Sequence, residues 1–280
     1  MTTVTKPDNL EQQVMRKIFL RLTPIMVFLY MVSYIDRSNI SFASLTMNKD
    51  LGIDPYYFGL SAGIFFLGYF LFEVPSNLML ARVGASRWIA RIVFTWGLVA
   101  CGMAFVKGYW SLIVLRFLLG VAEAGFFPGI MLYLTYWFPA RYRGRIVSSF
   151  MLALPVSLAI GAPLATWIMQ LDGALGFKGW QWIFIVEGIP AVLSTLLALK
   201  FLPSNPNEVS WLNEAERGWL LQALETDHEA VVVKKTETSI GGVFTNPTIL
   251  IFSITYVASN AAAVGVSMFL PQIIRQLGFT

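Results

Sequence analysis

Seven apolar stretches, each long enough to cross a lipid bilayer, divide this chain and leave it little choice of architecture. Crossing the hydrocarbon core takes about 20 apolar residues in a helix. The stretches run at about 19–42, 58–80, 88–106, 110–138, 147–170, 182–202 and 247–273. Of the 280 residues, 56% are hydrophobic and only 13% charged, and the apolar ones arrive in blocks of bilayer length. The expected fold class is therefore an all-α polytopic membrane protein. The first 17 residues, MTTVTKPDNLEQQVMRK, are polar and lack the pattern of a signal peptide, so the first stretch is expected to be retained as a helix.

Residues 203–245 are polar and form the longest connection. Within them Leu212, Ala215, Trp219, Leu220 and Leu224 keep helical spacing, which predicts a surface helix at the membrane interface. The expected domains are a six-helix unit at 1–202, a central loop at 203–245 and a first helix of a second unit at 246–280. Repeat-built transporters of two six-helix halves would continue beyond this point, so the chain reads as an N-terminal portion of something longer.

The basic residues give the expected topology. With the N-terminus cytoplasmic, fourteen fall inside: Lys6, Arg16, Lys17, Arg21, Arg82, Arg87, Arg91, Arg141, Arg143, Arg145, Lys200, Arg217, Lys234 and Lys235. Four fall outside, Lys49, Lys107, Lys178 and Arg275, one per connection. Arg141, Arg143 and Arg145 are expected to fill a loop, PARYRGR. The net charge of +4 thus reflects membrane orientation rather than a nucleic-acid partner.

Charges inside the apolar stretches carry the functional signal, because charge at membrane depth is costly and normally faces a bundle interior or a water-filled path. Tyr34–Ala43 reads YIDRSNISFA and embeds Asp36 and Arg37. Tyr30, Tyr34, Arg37 and Ser41 share one helical stripe, whereas Asp36 lies about 100° away. In the fourth stretch Arg116 and Glu123, seven residues apart, share a face with Gly120 and Phe127. Arginine offers a planar fork for a carboxylate, so Arg37 and Arg116 suit an anionic substrate, with Tyr30, Tyr34 and Ser41 beside them. A buried carboxylate near cations can be poised to titrate, which makes Asp36 and Glu123 candidate proton carriers. Both acids also read as silent counter-ions of the arginines. Glu73 and Glu187 are expected to brace the inner and outer ends of their helices, and Asn260 is a polar group at mid-depth in the last stretch. The fifth stretch carries Ser149, Ala153, Ser157, Gly161 and Ala165 at i+4 spacing, a ridge another helix can approach closely.

Other classes find less support. One cysteine and one histidine exclude a disulfide framework, a Cys-based cluster and multi-His metal sites, and no nucleophile–base pair appears, so no enzyme activity and no cofactor or metal is expected. A seven-helix receptor or retinal protein is opposed by the cytoplasmic N-terminus and by the absence of a lysine in the last stretch.

With these residues in view, the sequence resembles the anion:cation symporter branch of the major facilitator superfamily. YIDRSNISFA, FFLGYFLFEVPSN, LRFLLGVAEAGFFPG, WQWIFIVEGIPA and WLNEAERGWL carry the resemblance over nearly the whole chain. It implies two six-helix domains alternating access around a central site. It also implies proton-coupling roles for Asp36 and Glu123, substrate and gating roles for Arg37 and Arg116, and a bacterial inner membrane. In the connection after the second stretch Gly84 and Arg87 fit the superfamily pattern, while Asn77 and Ala81 stand where a glycine and an aspartate are usual. Glu73 or Arg141, Arg143 and Arg145 are expected to substitute at the inner gate. Gly161-Ala162-Pro163 replaces the Gly-Pro-rich pattern of proton-driven drug antiporters, which points away from an exporter. The expected function is proton-coupled uptake of a small organic anion such as a sugar acid, tartrate or an aromatic acid. The expected partners are that anion and membrane lipid, with no obligate protein partner. The alternative is an anion exchanger or uniporter with structural acids.

Overall fold

The structure, a computed structural model, describes residues 7–233 and 245–278. Lys6, Lys234 and Lys235 of the basic set lie outside the described residues, as does part of the expected 203–245 loop. Ten α-helices stand in the described residues: α1 (Pro7–Leu51), α2 (Pro55–Val83), α3 (Ala85–Gly102), α4 (Tyr109–Glu123), α5 (Phe126–Trp137), α6 (Ala140–Met151), α7 (Ala153–Met169), α8 (Gly179–Phe201), α9 (Glu214–Val233) and α10 (Pro247–Gln276). They supply seven membrane-crossing candidates, with α4 joined to α5 and α6 to α7 as single spans. In lipid every backbone amide must find its partner within its own segment, which is why apolar runs of this length become helices.

Two of the expected spans are interrupted. Between α4 and α5, Ala124 is extended (φ −54°, ψ 132°) and Gly125 left-handed (φ 82°). Pro128 cannot donate to the carbonyl of Ala124, and a side chain on Gly125 would lie 2.5 Å from Ser76 Oγ, so both residues favour the break. Between α6 and α7 the interruption is Leu152, which keeps helical angles, and Pro155 removes the donor for the carbonyl of Met151. PARYRGR is not a loop: Arg141, Arg143 and Arg145 lie on α6, which starts at Ala140.

The bundle has a proximal end, where α1 begins, and a distal end, where it finishes. α1 is 45 residues long, about 67 Å, and exceeds any bilayer. The small-residue ridge on α7 faces it: Ala153, Ser157, Gly161 and Ala165 are buried, and Ser157 Oγ donates to the carbonyl of Met31 at 3.3 Å. α2 meets α4 backbone to backbone through Gly68 and Gly120, and α3 meets α8 through Gly97 and Gly188.

The surface helix expected within 203–245 is α9, and it docks on the proximal end of the bundle. Asn213 and Glu216 cap α9 reciprocally, each side chain accepting from the other's amide at 2.8 and 3.0 Å. Leu212 and Leu220 are buried in the same apolar core as α1, α3 and α5. Trp211 stacks on Trp137 at 5.7 Å beneath the guanidinium of Arg21. Lys17 of α1 binds Glu216 at 2.5 Å. At the distal end α10 is tied to α1 by Gln272, whose Nε2 donates to Ser44 Oγ at 2.9 Å.

Candidate functional site

α1, α2 and α4 bring two of the embedded charges into contact. Arg37 Nε donates to Glu123 Oε2 at 2.6 Å, with Glu123 fully buried and the Arg37 side chain 25% exposed. Glu123 is the last residue of α4, directly before the break at Ala124. Close packing sets this geometry: a Cβ on Gly120 would lie 2.0 Å from the carbonyl oxygen of Phe65, so only glycine lets α4 come near enough to α2 and α1. Aromatic rings collar the guanidinium, with Tyr69 at 5.0 Å, Phe65 at 5.7 Å and Tyr34 at 5.8 Å from its centre. Glu123 takes Nε, and the Tyr69 side chain also lies within hydrogen-bond reach of the guanidinium.

Arg116 is placed differently. It is 2% exposed, its guanidinium lies 4.7 Å from the Phe65 ring, and its Nε is 3.4 Å from the carbonyl of Ser61. It shares a face with Glu123 as the spacing requires, and their charges act on each other, but the ion pair belongs to Arg37. Asp36 holds neither arginine. Trp96 Nε1 of α3 donates to its Oδ2 and Asn39 Nδ2 to its Oδ1, each at 3.0 Å. Glu123 thus pairs with Arg37 rather than with Arg116 on its own helix face, and Asp36 is bonded to Trp96 and Asn39. Asp36 points about 100° away from Arg37 on the helix, towards α3.

Of the other candidates, Tyr34 borders Arg37, while Tyr30 and Ser41 are buried, Tyr30 stacking on Phe150 at 4.0 Å. Asn260 is exposed on α10, its Nδ2 donating to the carbonyl of Tyr256, and is not brought to Arg37. Glu187 is not at a helix end: it lies two turns into α8 and is 5% exposed. Glu73 is half-buried on α2 within electrostatic reach of Arg37, and its carbonyl accepts from Asn77 Nδ2. Gly84 (φ 99°) makes the turn between α2 and α3, and Arg87 is exposed just after it. Arg141 pairs with Glu11 at 2.7 Å and Arg143 with Asp227 at 3.7 Å, while Arg145 is exposed. Sequence reasoning missed Phe65 and Tyr69, the collar of Arg37, and Trp96 and Asn39, the donors to Asp36. Phe65 and Tyr69 stand at i, i+4 beside Gly68, a signal that was available.

Comparison with known proteins follows the same lines. Residues 26–280 match the family model of the Major Facilitator Superfamily. A protein named "Putative tartrate transporter" from Agrobacterium vitis is 46% identical over 98% of this chain and 63% of its own length. A "Quinolone resistance transporter" from Acinetobacter baumannii is 42% identical over 96% of this chain and 62% of its own. The chain thus spans about three fifths of the length of these relatives. Among solved structures, a D-xylose-proton symporter superposes with a TM-score of 0.70 over 94% of this chain and 63% of that one at 15% identity, a likeness of fold alone. Taken with seven membrane-length helices around buried charges, these matches place the chain in the major facilitator superfamily of membrane transporters.

Proposed function

We propose that this chain serves the proton-coupled uptake of a small organic anion by alternating access, with a carboxylate as the recognised group. The observation that carries the reading is the Arg37–Glu123 pair, in which the acid is fully buried and the cation partly open. A proton on Glu123 cancels its charge and leaves Arg37 to be neutralised by the substrate carboxylate. Anion and proton are thereby linked at one guanidinium, since protonation of Glu123 without arrival of the anion would leave a largely buried cation uncompensated, at a cost of about 3–5 kcal/mol. Asp36, bonded to Trp96 and Asn39, is a second proton carrier whose charge governs the α1–α3 contact instead.

The chain would lie in a bacterial inner membrane with the proximal end cytoplasmic, need no cofactor, and use H⁺ as coupling ion. The A. vitis relative's name, for a dicarboxylate, supports the anion class. The A. baumannii relative is named for drug resistance, so direction belongs in the test.

The experiment is transport by the intact protein in proteoliposomes with an internal pH dye, adding organic anions one class at a time. Interior acidification on adding one anion, abolished in Glu123→Gln, is expected. Uptake of labelled anion without proton movement, equal in the variant, would make the protein an exchanger or uniporter with Glu123 a counter-ion. Proton influx driven by efflux of a preloaded quinolone would make it an exporter.

A further inference from the structure

A pair of acids lies between α1, α3 and α8, apart from the Arg37–Glu123 contact. Glu187 of α8 stands beside Asp36 and Asn39 of α1. It is 5% exposed, neither carboxylate oxygen makes a well-formed hydrogen bond, and the Asn39 side chain is the donor within its reach. Close packing shuts the site: a side chain on Gly188 would lie 2.6 Å from Cys101 Sγ, and one on Gly97 would lie 2.7 Å from the Val192 amide. Helix packing thus leaves Glu187 no approach from solvent along α3.

Charge accounting makes this arrangement informative. The polar and titratable groups that face the pair are Asn39 from α1 and Trp96 and Cys101 from α3. α7, which also packs on α8, contributes no charge, because Ala153–Met169 carries no charged residue, and its hydroxyls Ser157 and Thr166 are bonded to carbonyls of their own helix. Arg37 is turned to Glu123, and Arg116 and Glu123 act on Asp36 from its other side. Two carboxyl groups therefore share an enclosure whose N–H donors are Trp96 Nε1 and the two hydrogens of Asn39 Nδ2, and the two donor contacts within 3.0 Å both go to Asp36. An ionised Glu187 would be a buried charge beside a second acid with no cation paired to it, an arrangement proteins avoid. A carboxylic acid brings its own O–H donor and no charge.

From this geometry we propose that Glu187 is a proton-binding residue, forming with Asp36 a proton site separate from the Arg37–Glu123 pair. Its transport consequence rests on the proton-coupled reading above: the proton that Glu187 holds in this state leaves and returns during the cycle. Asp36 then links the two sites, since it is bonded on the α3 side and within electrostatic reach of Glu123 on the other.

Infrared difference spectroscopy of the intact protein in lipid at neutral pH tests the proton directly. A protonated carboxyl carbonyl band present in wild type and missing in Glu187→Gln is expected. A spectrum in which that substitution removes no such band overturns the proposal, whatever the protein transports. Should Glu187→Gln fail to fold, Glu187→Asp is read in the same way, with a shifted band expected. In proteoliposomes Glu187→Gln should lower pH-driven accumulation at least tenfold, and wild-type accumulation in that variant overturns the transport consequence. If wild type moves no proton with any anion, the proposed function fails, while the band still decides whether Glu187 holds a proton.

Discussion

Replacing Gly120 by alanine asks whether the approach of α2 to α4 is what builds the site. Alanine in a helix interior gains about 1 kcal/mol over glycine by propensity alone. Against that, its Cβ would lie 2.0 Å from the Phe65 carbonyl oxygen, where ordinary contact begins at 3.4 Å, so the two backbones must part by about 1.4 Å. The obstacle is main chain rather than a side-chain tip, and overpacking of this kind costs about 1–3 kcal/mol or somewhat more. With main chain in the way the cost belongs at the upper end of that range, so the clash should win by about 2 kcal/mol. Gly63 is an internal control, an exposed glycine on the same α2 with nothing within 4 Å of an added Cβ. Gly63→Ala should be neutral or slightly stabilising. The assay is the apparent melting temperature of purified protein in detergent, paired with uptake. Gly120→Ala should melt several degrees below wild type, and uptake should fall because Glu123, one turn further along α4, moves away from Arg37. Equal melting of the two variants would refute the argument, and normal melting with lost uptake would separate packing from function.

Two further outcomes follow from contacts elsewhere. Burial works against the charge of Glu216, yet hydrogen bonds from Lys17 and the Asn213 amide, with the Lys17 charge, hold its carboxyl below the ordinary value of 4.5. Docking of α9 should therefore be full at neutral pH and weaken as the pH falls below about 4.5 towards the depressed folded value. Hydrogen-exchange protection along α9, corrected for the intrinsic pH dependence of exchange, should fall over that window in wild type and change little in Glu216→Gln. Trp96→Phe removes the Nε1 donor to Asp36 and part of a fully buried ring, and should cost about 2–4 kcal/mol, read as a lowered melting temperature; an unchanged one would mean that Asp36 is held by Asn39 alone.

The seven crossings were legible because length and apolarity alone decide them in lipid. Their interruptions were harder to read. Pro163 and Pro190 sit in helices that continue, whereas Pro128 follows a glycine in a left-handed conformation, and proline by itself does not distinguish these cases. The docking of α9 was not legible, since a stripe such as Trp219, Leu220 and Leu224 suits a lipid headgroup region and a protein surface equally well. Within the site, spacing along one helix placed Arg116 and Glu123 on one face and turned Asp36 away from Arg37. It could not say which partners come from other helices. That Glu123 takes Arg37, that Trp96 reaches Asp36 and that Glu187 lies beside Asn39 are facts of tertiary packing.

α1 is gripped at Lys17 by α9 and at Ser44 by α10, points 27 residues or about 40 Å apart. Mechanically it is a lever loaded at both tips, with Asp36 and Arg37 nearer the distal tip than the proximal one. A tilt of about 5° around its middle displaces each tip by almost 2 Å, enough to part contacts of 2.5 and 2.9 Å. Rocking of α1 therefore cannot be local to its embedded charges: α9 and α10 must either travel with it or let go.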